Sequence, residues 1–323
     1  MRYLNENELA RLVADREYRA LVEQGFREYG QQRQVTSQPS IATITPPDAP
    51  GSMMSMKGTM SQNLRAHGVF FGVRGRDYYL AVSDMDSGVL QGVLELSLAY
   101  KKRTAASAMV AAGYFAPRDA RRAAVIGSGA IAAEVVRQLP MHFRLDSITV
   151  ASRTAQGARA FVEKMAAHVD CPLQASDSIP AAVADADIVI TITSASTPFI
   201  GAGMIKRGSF LCSLGGGHEI DYSMLAEVDR LFVDDIGYAL WRGDFKGWVD
   251  GGHIARDALE RRIEGHMGRV ALGELPQRRG NETVMAVIQG MAISDLVIAR
   301  TALTRAEREG VGTPVLTVAQ VTG

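Results

Sequence analysis

Two cysteines in 323 residues, Cys171 and Cys212, leave little for a disulfide framework. They lie far apart without a C-x-x-C, so a disulfide scaffold is not expected and a reducing compartment fits. The six histidines, His67, His142, His168, His218, His253 and His266, form no H-E-x-x-H and no Cys/His quartet, so no metal is expected. Neither sign of charge prevails: 35 basic residues face 35 acidic ones, and there is no basic stripe for nucleic acid. No apolar run approaches the roughly 18 residues of a membrane span. The opening MRYLNENELARLV lacks the basic region and apolar run of a signal peptide. No membrane and no nucleic-acid partner are therefore expected, and a cytoplasmic location is. G-x-S-x-G and Walker A strings are missing, which removes the commonest hydrolase and NTPase templates.

What is present is a chain that is 47% apolar, enough for a sizeable core, and long enough for one large domain or two ordinary ones. Residues 6–29 carry apolar residues at helical spacing, interrupted near Asp15. Residues 35–84 alternate short β-like runs (SIATITPP, SMMSMKG, GVFFGVRG, YYLAVSD) with turns, which predicts a separate antiparallel or mixed sheet. Residues 89–113 read as one long helix. From residue 123 strands and helices alternate: AAVIG, helix 130–139, SITVAS, helix 155–168, PLQAS, a helical piece at 179–184, DIVITIT, SFLCSLG, a helix near 222–228 and RLFVDD. This rhythm predicts an α/β fold with a doubly wound parallel sheet. Residues 241–281 look irregular, and 282–309 read as a single apolar helix that returns to the first domain or packs in a subunit interface.

The most informative stretch is AAVIGSGAIAAEV at 123–135. Gly127, Gly129 and Ala132 give G-x-G-x-x-A between a strand and a helix. The first glycine permits the turn, the second lets backbone approach a pyrophosphate, and the small third residue allows close packing at a helix N-terminus. A dinucleotide site is the expectation. At the next strand end stands Ala151-Ser152-Arg153-Thr154, with no acid to accept from a ribose 2′-OH. Arg153 can pair with a 2′-phosphate, with Ser152 and Thr154 donating beside it, so NADP(H) is favoured and NAD(H) stays possible. Alternatively, Arg153 stacks over the adenine of either cofactor.

Thr193 and Ser194 follow DIVITIT, and Gly215-Gly216-Gly217-His218-Glu219 follows SFLCSLG. Strand C-terminal ends are where open parallel sheets bind ligands. The glycines admit a nicotinamide or merely serve a turn. Lys57, among Met54, Met56 and Met60, sits in an apolar setting unlike a solvated surface lysine, and can hold a carboxylate or pass a proton. Arg103 in RTAASA stands against small residues that let a phosphate or carboxylate approach, although a snorkelling arginine on a packing face has the same pattern.

The MKG lysine, the DSG turn, the KRTAASA helix, VIGSGAIA, the strand-end SRT and the long C-terminal helix together resemble the ornithine cyclodeaminase and mu-crystallin family over roughly residues 50–310. The resemblance implies a Rossmann domain at 117–289 and a smaller α/β substrate and dimerisation domain made from 1–116 with 290–323, hence a homodimer. It also implies a substrate-contacting Lys57, a cofactor-contacting Ser87, Arg103 near a cofactor phosphate, and Ala130 and Ile131 over the pyrophosphate. Two departures stand out. The family's P-x-R arginine is missing where this chain has Pro39-Ser40-Ile41. Its G-x-D-x-P-G-K loop is shortened to GGGHEID, with Gly217 where the catalytic aspartate belongs. His218 or Glu219 then becomes the candidate proton-transfer group. The activity expected is NAD(P)-dependent hydride transfer at a C–N bond, on an imine, amino acid or keto acid. The alternatives are cyclodeamination of ornithine or lysine with release of ammonia, and a non-catalytic NADPH-dependent ligand carrier of the mu-crystallin type.

Overall fold

The computed structural model describes residues 1–37, 40–49, 52–73 and 75–315, so Pro39 and the end of the 290–323 segment lie outside the described residues. The chain divides into two compact units, Met1–Arg103 with Met291–Gly323, and Thr104–Gly290.

In the first unit, β1 (Arg2–Leu4) leads into α1 (Glu6–Leu12), whose start is fixed by a capping box between Asn5 and Glu8. After a 3-10 turn, α2 (Tyr18–Gly30) buries Tyr18, Val22 and Phe26 along one face. Then come β2 (Gln34–Thr36), β3 (Ala42–Ile44), β4 (Met54–Ser61), β5 (Ala66–Val73), β6 (Tyr78–Asp84) and β7 (Leu90–Glu95), followed by α3 (Ser97–Phe115). The second unit comprises β8 (Arg122–Ile126), α4 (Ala130–His142), β9 (Ser147–Ala151), α5 (Ala155–Met165), β10 (Leu173–Ala175), α6 (Ile179–Val183), β11 (Ile188–Thr191), β12 (Phe210–Ser213), β13 (Arg230–Val233), α7 (Ile236–Ala239), α8 (Gly243–Asp250), α9 (Arg256–Arg262), β14 (Gly265–His266), α10 (Met267–Ala271) and β15 (Val284–Val287). Finally α11 (Ala292–Glu309) and β16 (Thr313–Pro314) bring the chain back to the first unit.

The first sheet runs β16-β1-β7-β6-β5-β4-β2, with β3 also on β4, and is antiparallel except for the parallel β1–β7 pair. Burial alternates strictly along β4 and β5, the period of a sheet with one covered face. Helix α11 covers that face. It comes close because glycines stand beneath it: a Cβ on Gly68 would lie 3.1 Å from Leu296, and one on Gly92 would lie 2.5 Å from Leu303. The other face is half-exposed and apolar, with Met54, Met56, Phe71, Val73 and Tyr79, and with Val69 46% accessible.

Within the same unit, α3 and α11 are joined by an ion pair between Arg103 Nε and Asp295 Oδ1 at 2.8 Å, with side chains only 2% and 0% exposed. An acid inside MAISDLVIA needs a cation partner, since an unpaired buried charge is costly.

The second sheet is parallel throughout, in the order β10-β9-β8-β11-β12-β15-β13-β14. β11, β12, β13 and β15 are buried at every position, as expected for strands covered on both faces. The order reverses at β8, whose neighbours are β9 on one side and β11 on the other. That is the doubly wound topology, with its ligand crevice at the switch point.

Three expectations change. Residues 89–113 are not one helix: β7 precedes α3, because LQGVLE places Gly92 and Leu94 inward at period 2. Residues 282–309 are also split. VMAV joins the parallel sheet as β15, and Gly290 at φ 86° breaks the chain before α11. A short buried apolar run looks alike in strand and helix. The stretch 241–281, read as irregular, holds α8, α9, β14 and α10. The two compact units divide at 103/104, within α3.

Candidate active site

The crevice of the second unit begins at the turn after β8. Gly127 has φ 141°, and a Cβ there would stand 2.3 Å from the Ile192 carbonyl oxygen, so only glycine fits. Gly129 is the N-cap of α4, makes no side-chain cap, and has open space where its Cβ would be. Ala130 and Ile131 form the first helical turn, with Ala130 exposed and Ala132 buried against the sheet. A 13-residue helix thus presents its N-terminal N–H groups without a side-chain acceptor. That is the donor set and dipole a pyrophosphate needs, so the residues fit a dinucleotide.

At the end of β9, Thr154 caps α5 by accepting from Gly157 N at 3.1 Å, and Ser152 Oγ donates to the Thr154 carbonyl at 2.8 Å. Ser152 has thus committed its hydroxyl hydrogen, which narrows the expected 2′-phosphate donors. Arg153 is exposed.

The ends of β11 and β12 are fastened by Glu219, which is 0% exposed. Its carboxylate accepts from Thr191 Oγ1 at 2.6 Å, Gly215 N at 3.0 Å, Ser213 Oγ at 3.3 Å and the Thr193 N–H. Asp244 on α8 completes the network, accepting from Ser213 Oγ at 2.6 Å, Glu219 N at 2.6 Å and Ile220 N at 2.9 Å. Burial, with Asp244 adding to it, outweighs the hydrogen bonds from Thr191 and Thr193 and pushes Glu219 up to about 7. Burial also pushes Asp244 up against its hydrogen bonds. Of the two candidates for proton transfer, His218 and Glu219, Glu219 lies enclosed and fastens the loop.

Each glycine of GGGHEID yields its Cβ space to another group. On Gly215 a Cβ would meet the Glu219 carboxyl at 2.2 Å, on Gly216 the Arg242 guanidinium at 2.3 Å, and on Gly217 the Ala195 carbonyl oxygen at 2.0 Å. Gly215 is buried with its N–H on Glu219 and its carbonyl accepting from Gln289 Nε2 at 3.0 Å. Gly215, expected at the cofactor, is buried here, and Gly216 is the exposed glycine of the loop. Gly217 has no room for an aspartate. His218 is half-buried, its N–H donates to Ala195 O at 2.8 Å, and its ring lies where a Cβ on Gly247 of α8 would be. Thr193 is half-exposed and Ser194 exposed at the same edge.

In the first unit, Lys57 is 7% exposed on the covered face of β4, directly opposite Phe70. Phe70 packs with Tyr78 and Tyr100 at centroid distances of 5.2 and 5.6 Å, and Arg103 lies over the Tyr100 ring at 4.3 Å. Lys57 and Arg103 thus border one aromatic cluster. Ser87 lies elsewhere in this unit, exposed, with Oγ donating to Asp84 Oδ1 at 2.8 Å.

The ornithine cyclodeaminase/mu-crystallin family profile matches residues 17–310. The chain belongs to this family. A curated relative, the uncharacterized cyclodeaminase y4tK of Sinorhizobium fredii, is 29% identical over 65% of this chain and 64% of its own length. Iminosuccinate reductase of Paracoccus denitrificans is 25% identical over 71% of this chain and 70% of its own. Among solved structures, Thermococcus litoralis Δ1-pyrroline-2-carboxylate reductase with NADH and L-proline superposes with a TM-score of 0.88 at 22% identity, covering 98% of this chain and 100% of that one. This family member's fold is the Rossmann type expected, with a second α/β unit.

Arg242, Asp244 and Asp295 escaped the sequence reading. Asp295 had a signal, an acid within an apolar helix. Arg242 and Asp244 lay in the stretch read as irregular.

Glu219 generates a pH prediction. Its folded pKa lies above the ordinary carboxylate value, so the folded state binds the extra proton. The stability it contributes is complete below about pH 4.5 and is lost as pH rises through about 7. Urea unfolding from pH 5 to 8 should show a declining term that Glu219→Gln removes. An identical pH slope in the variant would refute it.

Proposed function

We propose that this family member is an NAD(P)-dependent reductase of imines, forming an amine or amino acid from a small imino- or keto-acid-derived substrate. The observation that carries the choice within the family is at Gly217, where the Ala195 carbonyl oxygen lies 2.0 Å from the position of a Cβ. Cyclodeamination asks one site to oxidise an amine, hold the imine through ring closure and return the hydride. A loop with no space for the family's aspartate suits the simpler reduction. When bound, the cofactor supplies a hydride to the imine carbon. As the C=N π electrons move onto nitrogen, the Lys57 ammonium gives that nitrogen a proton, and the product is the amine. Lys57, bordering the Phe70–Tyr100 cluster, draws the substrate's α-carboxylate. His218, half-exposed at the same edge, is the second candidate for proton transfer.

Following loss of NADH or NADPH absorbance across cyclic imines and keto acid–amine mixtures tests the reading. Turnover is expected with at least one carboxylate-bearing imine, and Lys57→Ala should lower kcat by about 10²- to 10⁴-fold while cofactor affinity holds. Ammonia release from ornithine with no net change in cofactor would favour a cyclodeaminase, the activity named for one relative. Cofactor binding with silence across the panel would favour a carrier.

NADP(H) is the preferred cofactor in this reading, through Arg153. A lost charge-assisted pair costs about 1.5–3 kcal/mol, so Arg153→Ala should weaken NADPH by about ten- to a hundredfold and NADH far less. Equal losses in a calorimetric titration would refute the assignment.

The exposed apolar face of the first sheet, around Val69 and Phe71, is the surface through which a homodimer would form. Light scattering should give twice the chain mass, with Val69→Glu shifting the protein to monomer. A monomeric parent would contradict it. A cytoplasmic location completes the proposal, in keeping with no helix among the described residues being long and apolar enough to cross a membrane.

A further inference from the structure

Arg242 stands at the ligand-binding edge of the second unit without a carboxylate partner among the described residues. Its Nη1 donates to Tyr238 Oη at 3.3 Å. The guanidinium is half-buried and lies over exposed Gly216, with Nη2 2.3 Å and Nε 2.6 Å from where a Cβ would be. A larger residue at 216 would push it aside. The acids of this edge are spent on uncharged donors. Glu219 takes hydrogen bonds from Thr191, Thr193, Ser213 and Gly215. Asp244 takes them from Ser213 and from the N–H groups of Glu219 and Ile220, and Asp235 caps α7 at the Tyr238 N–H. Elsewhere in this unit Arg230 is held by Glu264 and Glu282, and Arg207 by Asp229. Arg242 therefore brings a fixed positive charge to the edge beside Gly216.

The sheet order says which part of a dinucleotide meets that charge. In a doubly wound sheet the two halves of a dinucleotide lie on opposite sides of the switch point. Here that point is the end of β8, with its pyrophosphate loop. The adenosine half goes with β9, where Arg153 stands, and the nicotinamide half with β11 and β12. Gly216 follows β12, two strands from β8, which at about 4.8 Å per strand is roughly 10 Å from the pyrophosphate loop. That separation is the reach of one ribose and one ring, so the charge meets the nicotinamide rather than the phosphates.

The two redox states of the cofactor differ at this ring. The oxidised nicotinamide is a cation and the reduced one is neutral, while the adenosine half and the pyrophosphate are the same in both. The reduced ring also pushes its nitrogen lone pair onto the carboxamide oxygen, which makes that oxygen the better acceptor for a guanidinium. We propose that Arg242, admitted by Gly216, lies against the nicotinamide and makes the site selective for the reduced cofactor. It repels the ring cation and donates to the carboxamide of the neutral ring. Once the ring C4 has given up its hydride, the ring is a cation beside Arg242, and the same charge hastens release of the spent cofactor. The proposal needs a bound cofactor and no substrate, so it stands apart from the imine-reductase reading.

Calorimetric titration of the full-length protein without substrate tests it. The ligands are NADPH, NADP⁺ and 2′-phospho-ADP-ribose in one series, and NADH, NAD⁺ and ADP-ribose in the other, so that the role of Arg153 does not enter. The reduced form should bind at least about tenfold more tightly than the oxidised form, the scale of one unit charge acting on another across a partly solvated site. Arg242→Met should cut that ratio about tenfold, tightening the oxidised form and weakening the reduced one. Arg242→Lys should keep much of the ratio because the charge remains, and Gly216→Ala should lower it by displacing the guanidinium. The two ADP-riboses lack the ring and should bind parent and Arg242→Met equally, which also shows that the variant is folded. A ratio left unchanged by Arg242→Met, an equal loss for both redox forms, or a parent that binds the oxidised form as tightly as the reduced one overturns the proposal. A parent that binds neither series overturns it together with the cofactor site. Silence in the imine screen leaves these affinities as they are, so the two readings fail separately.

Discussion

One buried carboxylate holds the ligand-binding edge of the parallel sheet together. Glu219 ties the ends of two neighbouring strands by taking hydrogen bonds from Thr191, Thr193, Ser213 and Gly215, while Asp244 holds the Glu219 backbone from α8. Neither strand end could adopt this path alone, since each would leave N–H donors buried and unmet. The shortened glycine loop follows from that arrangement. Gly215 makes room for the carboxyl itself, Gly216 for Arg242 and Gly217 for the Ala195 carbonyl. A carboxylate enclosed in this way is a poor proton carrier but a firm template, which moves the chemistry outward to groups that can reach a substrate.

The first unit meets the same problem of buried charge differently. Arg103 is neutralised by Asp295 across two helices and rests on Tyr100, while glycines 68 and 92 allow α11 to lie close on the sheet that carries Lys57. The last helix therefore does more than complete a core. It supplies the acid that lets an arginine stay in place near the lysine's aromatic neighbours.

Much of this was legible in the sequence. The strand, glycine turn and helix around Gly127 could be recognised because each glycine answers a separate steric demand, and the strand–helix rhythm gave the doubly wound sheet. Lys57 stood out through Met54, Met56 and Met60, but β4 turns these to its other face, and the neighbour opposite Lys57 is Phe70. What failed were short apolar runs in mixed company. LQGVLE and VMAV merged into adjoining helical patterns because four to six residues do not separate a period of 2 from one of 3.6. Glu219 was noticed, but its role was not, since burial depends on Thr191, Ser213 and Asp244, none of them near it in a local pattern. Arg242 lay in a stretch that looked irregular because its helices are only five to eight residues long.

The central claim is direct hydride transfer from a nicotinamide bound at this edge to an imine carbon, and isotopic labelling tests it most directly. With NADH or NADPH deuterated at the transferable C4 position, mass spectrometry of the amine formed from a carboxylate-bearing imine should find one deuterium on the former imine carbon. Amine product with no deuterium from the labelled cofactor would contradict the account.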